Sequence, residues 1–264
     1  MAGLGGGEAA YRLRMPSTRR HARRRPGSAG AVVAGVLGEV LLTLGVVLAL
    51  FVVWQLWWTS VVAGREADAV VDAFRQAVPA AAAAETPLRT DDPPVAEPVA
   101  HGGTIGVLTV PRWEGLTNNA MPVVEGTSQD LLDRALAGRY SSTQQLGEVG
   151  NTVLAGHRRS YGDSFRYVNR LEPGDPIIVE TATTWYVYEV TGDEIVTPDT
   201  TDVLLPVPRQ PGVEPTERTL TLTTCHSLTL GEYGNDHRWI TYARFVGWLD
   251  RADGTPPQLR EGTA

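Results

Sequence analysis

From Ala31 to Val53 the chain runs 23 residues with a single charge, Glu39. About 20 apolar residues cross the hydrocarbon core of a bilayer as a helix, so this run predicts a transmembrane segment. Seven arginines precede it (Arg12, Arg14, Arg19, Arg20, Arg23, Arg24 and Arg25) against one acid, Glu8, a net +6 over residues 1–28. The whole chain carries −7, which leaves −13 for everything after residue 28. A basic flank stays on the cytoplasmic side, and tryptophans mark the far interface; here these are Trp54, Trp57 and Trp58. The pattern predicts a single-pass plasma-membrane protein with its N-terminus cytoplasmic and everything after Ser60 outside. A buried core helix and a cleaved signal are the competing readings, and Val61-Val62-Ala63 resembles a weak cleavage site. The run exceeds the roughly 7–15 residues of a signal h-region, so an uncleaved anchor is preferred. A basic tail that leads into such a span points to membrane and not to nucleic acid.

Beyond the span, Ala69, Val70, Ala73, Phe74 and Ala77 recur at helical spacing within Arg65–Val78, and Pro79 stops that helix. Residues 79–100 are rich in Ala, Pro, Asp and Glu and read as a linker that builds no core of its own. From Gly103 the chain changes to short apolar runs between turn signals. Thr104–Val110, Met121–Glu125, Asn151–Ala155, Pro176–Glu180, Trp185–Thr191, Glu194–Val196, Leu220–Thr224 and Trp239–Trp248 are strand candidates. A helix N-capped by Thr127 buries Leu131, Leu132, Ala135 and Leu136, and a helical turn covers Ser164–Arg170. The expectation is an all-β fold with minor helices, a barrel or sandwich.

The only cysteine, Cys225, ends the run Thr219-Leu220-Thr221-Leu222-Thr223-Thr224-Cys225. Side chains alternate along a strand, so the thiol shares a face with Thr219, Thr221 and Thr223 and not with the leucines. Outside the cytoplasm an unpaired cysteine is a free thiol in need of a reason, and a thiol with a distant histidine is a candidate nucleophile and base. Among five histidines, His21 precedes the span and His101 lies in the linker. His226 follows Cys225 directly and so points to the opposite face. His157, at the end of an apolar run, is the best partner. If the last two strands pair antiparallel, Arg238 starts the final one beside Cys225. It is then placed to hold a carbonyl or stabilise an oxyanion. Arg244 lies on the same face but roughly 20 Å further along. Arg158 and Arg159 read as solvated loop residues.

These residues resemble a sortase. Gly150-Asn151, Leu154-Ala155-Gly156-His157-Arg158, Pro173-Gly174-Asp175, Thr221-Leu222-Thr223-Thr224-Cys225 and Arg238 carry the resemblance over about residues 103–250. Trp57-Trp58-Thr59, Val123-Val124-Glu125-Gly126 and His157-Arg158-Arg159-Ser160-Tyr161-Gly162 with Phe165 look like class E of actinobacteria. The resemblance implies an eight-stranded sortase-type β-barrel behind an N-terminal transmembrane helix. It also implies a catalytic His157, Cys225 and Arg238, with Thr224 shaping the substrate site. The implied domains are a cytoplasmic tail (1–30), anchor (31–60), extracytoplasmic linker (61–102), catalytic barrel (103–250) and C-terminal tail (251–264). The implied partners are sorting-signal peptides, Leu-Ala-x-Thr-Gly or Leu-Pro-x-Thr-Gly, and a cell-wall precursor amine, with no cofactor and no metal. The stretch between Cys225 and Arg238 is longer than expected for class E. A pilin-polymerising sortase, which carries an Asp-Pro-aromatic lid, is a poorer match because Asp92-Pro93-Pro94 lacks the aromatic. A hydrolytic cysteine peptidase and a non-catalytic surface-binding barrel are the remaining alternatives.

Overall fold

The computed structural model describes residues 29–117 and 119–259, without the side chain of Leu56. The arginine tail, His21 and the last five residues of the C-terminal tail lie outside the described residues. A single helix, α1, runs from Ala29 to Ala77, and it is long and apolar enough to cross a membrane. Its residues up to Leu50 form one unit, and the chain from Phe51 onward forms a second, compact one.

Within that second unit, eight strands close into a barrel in the order β1-β2-β3-β4-β7-β8-β6-β5. They are β1 (Thr104–Thr109), β2 (Met121–Glu125), β3 (Ala137–Arg139), β4 (Gly150–Ala155), β5 (Pro176–Thr181), β6 (Thr184–Val196), β7 (Arg218–His226) and β8 (His237–Asp250). The β2–β3 and β4–β7 pairs are parallel and the others antiparallel. Closure removes the exposed strand edges that an open sheet would carry. The interior is filled by alternate residues such as Leu108, Val123, Leu154, Ile177, Val179, Tyr186, Tyr188, Leu220 and Leu222.

Strand limits follow the apolar runs closely, with two differences. Trp185–Thr191 and Glu194–Val196 are one strand, β6. Gly192-Asp193 is not a turn there but a register shift against β8 between Val190 and Gly192. β3 was not among the expected strands. It is three residues long, and its Arg139 is buried, donating to Glu125 at 2.8 Å and to the Thr143 carbonyl at 2.5 Å.

The helical expectations shift in detail. α2 is only Gln129–Leu132, with Ser128 and not Thr127 at the N-cap position. Ala135 adopts φ 59°, which ends helical continuation, yet Ala135 and Leu136 are buried as expected. The turn expected over Ser164–Arg170 is a 3-10 turn at Val168–Arg170. On α1 the buried stripe is Ala63, Ala67, Val71 and Phe74, whereas Ala69, Ala73 and Ala77 are exposed. The stripe is thus turned by part of a helical step. Its Ala63 and Ala67 pack on Leu131, Ala135 and Leu136, and its Val71 and Phe74 pack on Val107.

Residues 79–100 form no helix and no multi-residue strand, but they lie along the barrel. Arg89 exchanges backbone hydrogen bonds with Trp248, Ala96 donates to Leu146, and the Tyr186 hydroxyl donates to the Pro94 carbonyl at 2.8 Å.

Candidate active site

Three adjacent strands build the site. In the parallel β4–β7 pair, Ala155 lies opposite Thr223. The same register, carried two residues on, sets His157 beside Cys225. Two hydrogen bonds clasp this extension: Gly156 N donates to Thr223 O at 3.2 Å, and Thr224 Oγ1 donates to Gly156 O at 2.7 Å. In the antiparallel β7–β8 pair, Cys225 lies directly opposite Arg238. Cys225 and Arg238 are thus strand partners, and His157, just past the end of β4, follows on the side of Cys225 away from Arg238, with neighbouring strands about 4.8 Å apart. Period-two alternation puts all three on the outer face of the sheet.

The face itself is fixed by Asn151. Its Oδ1 accepts from Thr221 Oγ1 at 2.8 Å, and its Nδ2 donates to the carbonyls of Val203 and Leu205 at 3.0 and 3.1 Å. This pins the 3-10 turn Thr201–Leu204 over the threonine rows and buries Thr221 and Thr223. Cover stops short of the thiol, and Cys225 is a half-buried free cysteine. Gly156 leaves room for a packed ring, because a Cβ there would sit 2.9 Å from Phe165. Phe165 N in turn donates to His157 O at 2.8 Å.

Each side chain of the row has distinct partners. Arg238 Nη1 donates to the carbonyls of Asn235 and His237 at 2.7 and 2.8 Å. Among the described residues it has no carboxylate partner. His157 Nε2 lies 2.8 Å from Asp133 Oδ1, and its ring stacks on Tyr161 with centroids 5.6 Å apart. Tyr140, just past β3, completes the surroundings. Burial pushes its hydroxyl pKa up; the Arg238 charge pulls it down and the Cys225 charge pushes it up, which places the phenol within electrostatic reach of both. Asp133 and Tyr140 were not singled out in the sequence, where neither has a local pattern to mark it.

The opposite face of the same strands carries a different cluster. His226 is buried, as the alternation argument requires. Arg158, expected to be solvated, is 4% exposed. It donates to His226 Nδ1, and its guanidinium lies 5.0 Å from the Trp239 ring centroid. Burial lowers the Arg158 pKa. His226 is held below the ordinary histidine range, first by burial and then by the Arg158 charge. Arg159 is half-buried and reaches the β7–β8 loop, donating to the Tyr233 hydroxyl at 2.9 Å. The strand pairing continues to His226 opposite His237. The connection proper is therefore residues 227–236, on which Leu228, Leu230 and Tyr233 are exposed. Asp92 pairs with Arg218 at 2.9 Å, at the start of β7 and roughly 23 Å of strand from Cys225. Among the described residues no group of three or more His, Cys, Asp or Glu side chains converges as metal ligands would.

A closed barrel with a free thiol at the end of β7, an arginine opposite it and a histidine just past the neighbouring β4 is an arrangement of the sortase type. The chain belongs to the sortase family: residues 108–246 match the Sortase domain. It is 35% identical over 248 residues to Sortase SrtE1 of Streptomyces coelicolor, covering 91% of this chain and 65% of that one. It is 36% identical to Sortase SrtE2 of the same organism, covering 89% and 91%. The chain thus spans slightly under two thirds of SrtE1 and most of SrtE2, and it is class E-like. Among solved structures, the SrtA sortase from Actinomyces oris is 58% identical at a TM-score of 0.64, covering 65% of this chain and 95% of that one. Sortase E1 from Streptomyces coelicolor, solved with a tripeptide in its active site, is 34% identical at a TM-score of 0.53, covering 61% and 99%.

Proposed function

We propose that this sortase cleaves a C-terminal sorting signal between Thr and Gly and joins the Thr to the amine of a cell-wall precursor. The row of His157, Cys225 and Arg238 carries this reading. The Cys225 thiolate attacks the Thr carbonyl carbon. Arg238 donates to the carbonyl oxygen as negative charge builds on it. The C–N bond to Gly then breaks, and His157 gives its proton to the leaving amine. The resulting thioester is attacked by the acceptor amine, which yields a proton to His157. The C–S bond breaks, and the thiolate returns. Thr224 supports the site by holding Gly156, and through it the backbone of His157.

The signal is of the Leu-Ala-x-Thr-Gly or Leu-Pro-x-Thr-Gly type. The tripeptide in the Streptomyces Sortase E1 site supports peptide binding at this face. A lid of the pilin-polymerising kind is disfavoured, because Asp92 is tied to the far end of β7. In this reading α1 anchors the enzyme through residues 31–60 with the N-terminus cytoplasmic, and the barrel of residues 103–250 works outside. The contacts of residues 79–100 favour including that segment in the working unit. Intact-mass measurement of the full chain with each peptide plus a small amine tests the proposal. It predicts a thioacyl adduct and then an amide product, with one signal preferred. Hydrolysis alone, unaffected by amine, would point instead to a peptidase.

A further inference from the structure

We propose that Asp133 is a positioning residue for His157, fixing which ring nitrogen bears the proton and which way the imidazole faces. An ionised carboxylate only accepts hydrogen bonds, so at the 2.8 Å contact His157 Nε2 is the donor. In the neutral ring the other nitrogen, Nδ1, is then unprotonated. Nδ1 has no hydrogen bond among the described residues, which leaves it to exchange the proton with the thiol or the amine. Both side chains are about three quarters covered, with exposures of 23% and 24%, so the contact is shielded from competing water. The second restraint is Tyr161, stacked on the ring at an interplanar angle of 30°. It sits in an unusual loop: Ser160, Tyr161, Gly162 and Asp163 have φ of 76°, 48°, 88° and 56°. Left-handed conformations cost L-residues energy, and here they turn the chain after His157 back over its own imidazole.

Asp133 is itself firmly seated. Its N–H donates to Gln129 O at 2.9 Å at the end of α2. The next residue, Arg134, pairs with Glu66 of α1 at 3.2 Å, and Ala135 and Leu136 are buried against Ala63 and Ala67. The extracytoplasmic turns of α1 thus hold the segment that holds the histidine.

The inference rests on His157 as the proton carrier. Its test uses the full chain in detergent micelles, with Asp133→Ala, Asp133→Asn and His157→Ala in parallel. Asp133→Ala is expected to lower kcat for peptide-to-amine transfer by about 10- to 100-fold, as misplacement of a reacting group does. KM for the peptide and the rate of Cys225 alkylation by a small reagent should change little. Asp133→Asn keeps an acceptor oxygen and should lose less. With 15N-labelled histidine, the wild-type ring should show the Nε2-protonated form, and Asp133→Ala should lose that signature. Wild-type kcat in Asp133→Ala, or an unchanged ring signal, overturns the inference. If His157→Ala stays active, the underlying reading of His157 fails; if it is inactive while Asp133→Ala is not, only the positioning role fails.

Discussion

The two faces of β4, β7 and β8 near Cys225 carry similar residue types and opposite environments. On the outer face stand His157, Cys225 and Arg238, half-buried and reachable. One residue along each strand, on the inner face, stand Arg158, His226 and Trp239, packed together, with His226 and Trp239 edge to face at 5.2 Å. Histidine and arginine occur in both sets. What separates them is strand alternation, which leaves one set half-exposed to solvent and packs the other into the barrel end. The inner set also meets a cost: Arg158 Nε and Trp239 Nε1 are buried without a hydrogen bond among the described residues. Such groups are expensive to bury.

The sharpest way to break the comparison is to exchange the histidines. His157→Ala is expected to remove nearly all transfer, by at least about 10²-fold for loss of a proton-transfer group, whereas His226→Ala should retain most of it. The reverse ranking, measured as amide product per minute, would mean the faces are misassigned. The arginines give the next largest effect. Arg238→Lys keeps charge but not the fork of donors, and should lower turnover by roughly 10²-fold. Arg244→Lys should do little, since Arg244 lies in the middle of β8, roughly 20 Å of strand from Arg238, where it pairs with Glu189 at 2.9 Å.

A smaller effect separates stability from chemistry. His226 has a folded-state pKa below its ordinary 6.5, so below that pH the unfolded chain binds more protons than the folded one. The stability contributed by neutral His226 is full above pH 6.5 and is lost as pH falls towards the folded value. Tm should therefore decline on acidification, and His226→Gln should flatten that decline. An equal slope in wild type and variant would show that His226 is not the group responsible. The smallest expected change is in the connection over residues 227–236: shortening it should alter peptide preference more than reaction of Cys225 with a small alkylating reagent.

Much of this was legible in the sequence because both of its signals are local. Apolar runs marked seven of the eight strands, one of them as two pieces, and alternation within Thr219–Cys225 put the thiol on its face. What was not legible depended on distant partners. β3 is too short for a period, and its middle is held by neighbours on both sides. Arg158 looked solvated because nothing near it in sequence announces that Trp239 will cover it. Asp133 lies 24 residues before His157, on a connection whose seat is provided by α1. The helical stripe on α1 was turned because Ala69 and Ala73 are apolar yet face away from the barrel.

The most direct test of the central claim is to ask where the peptide is captured. Intact-mass and fragment analysis of the full chain, incubated with a sorting-signal peptide and no added amine, should find the peptide up to its Thr attached at Cys225. The adduct should be absent in Cys225→Ala of unchanged Tm. Transfer activity that persists in Cys225→Ala, or an adduct on any residue other than Cys225, would contradict the account.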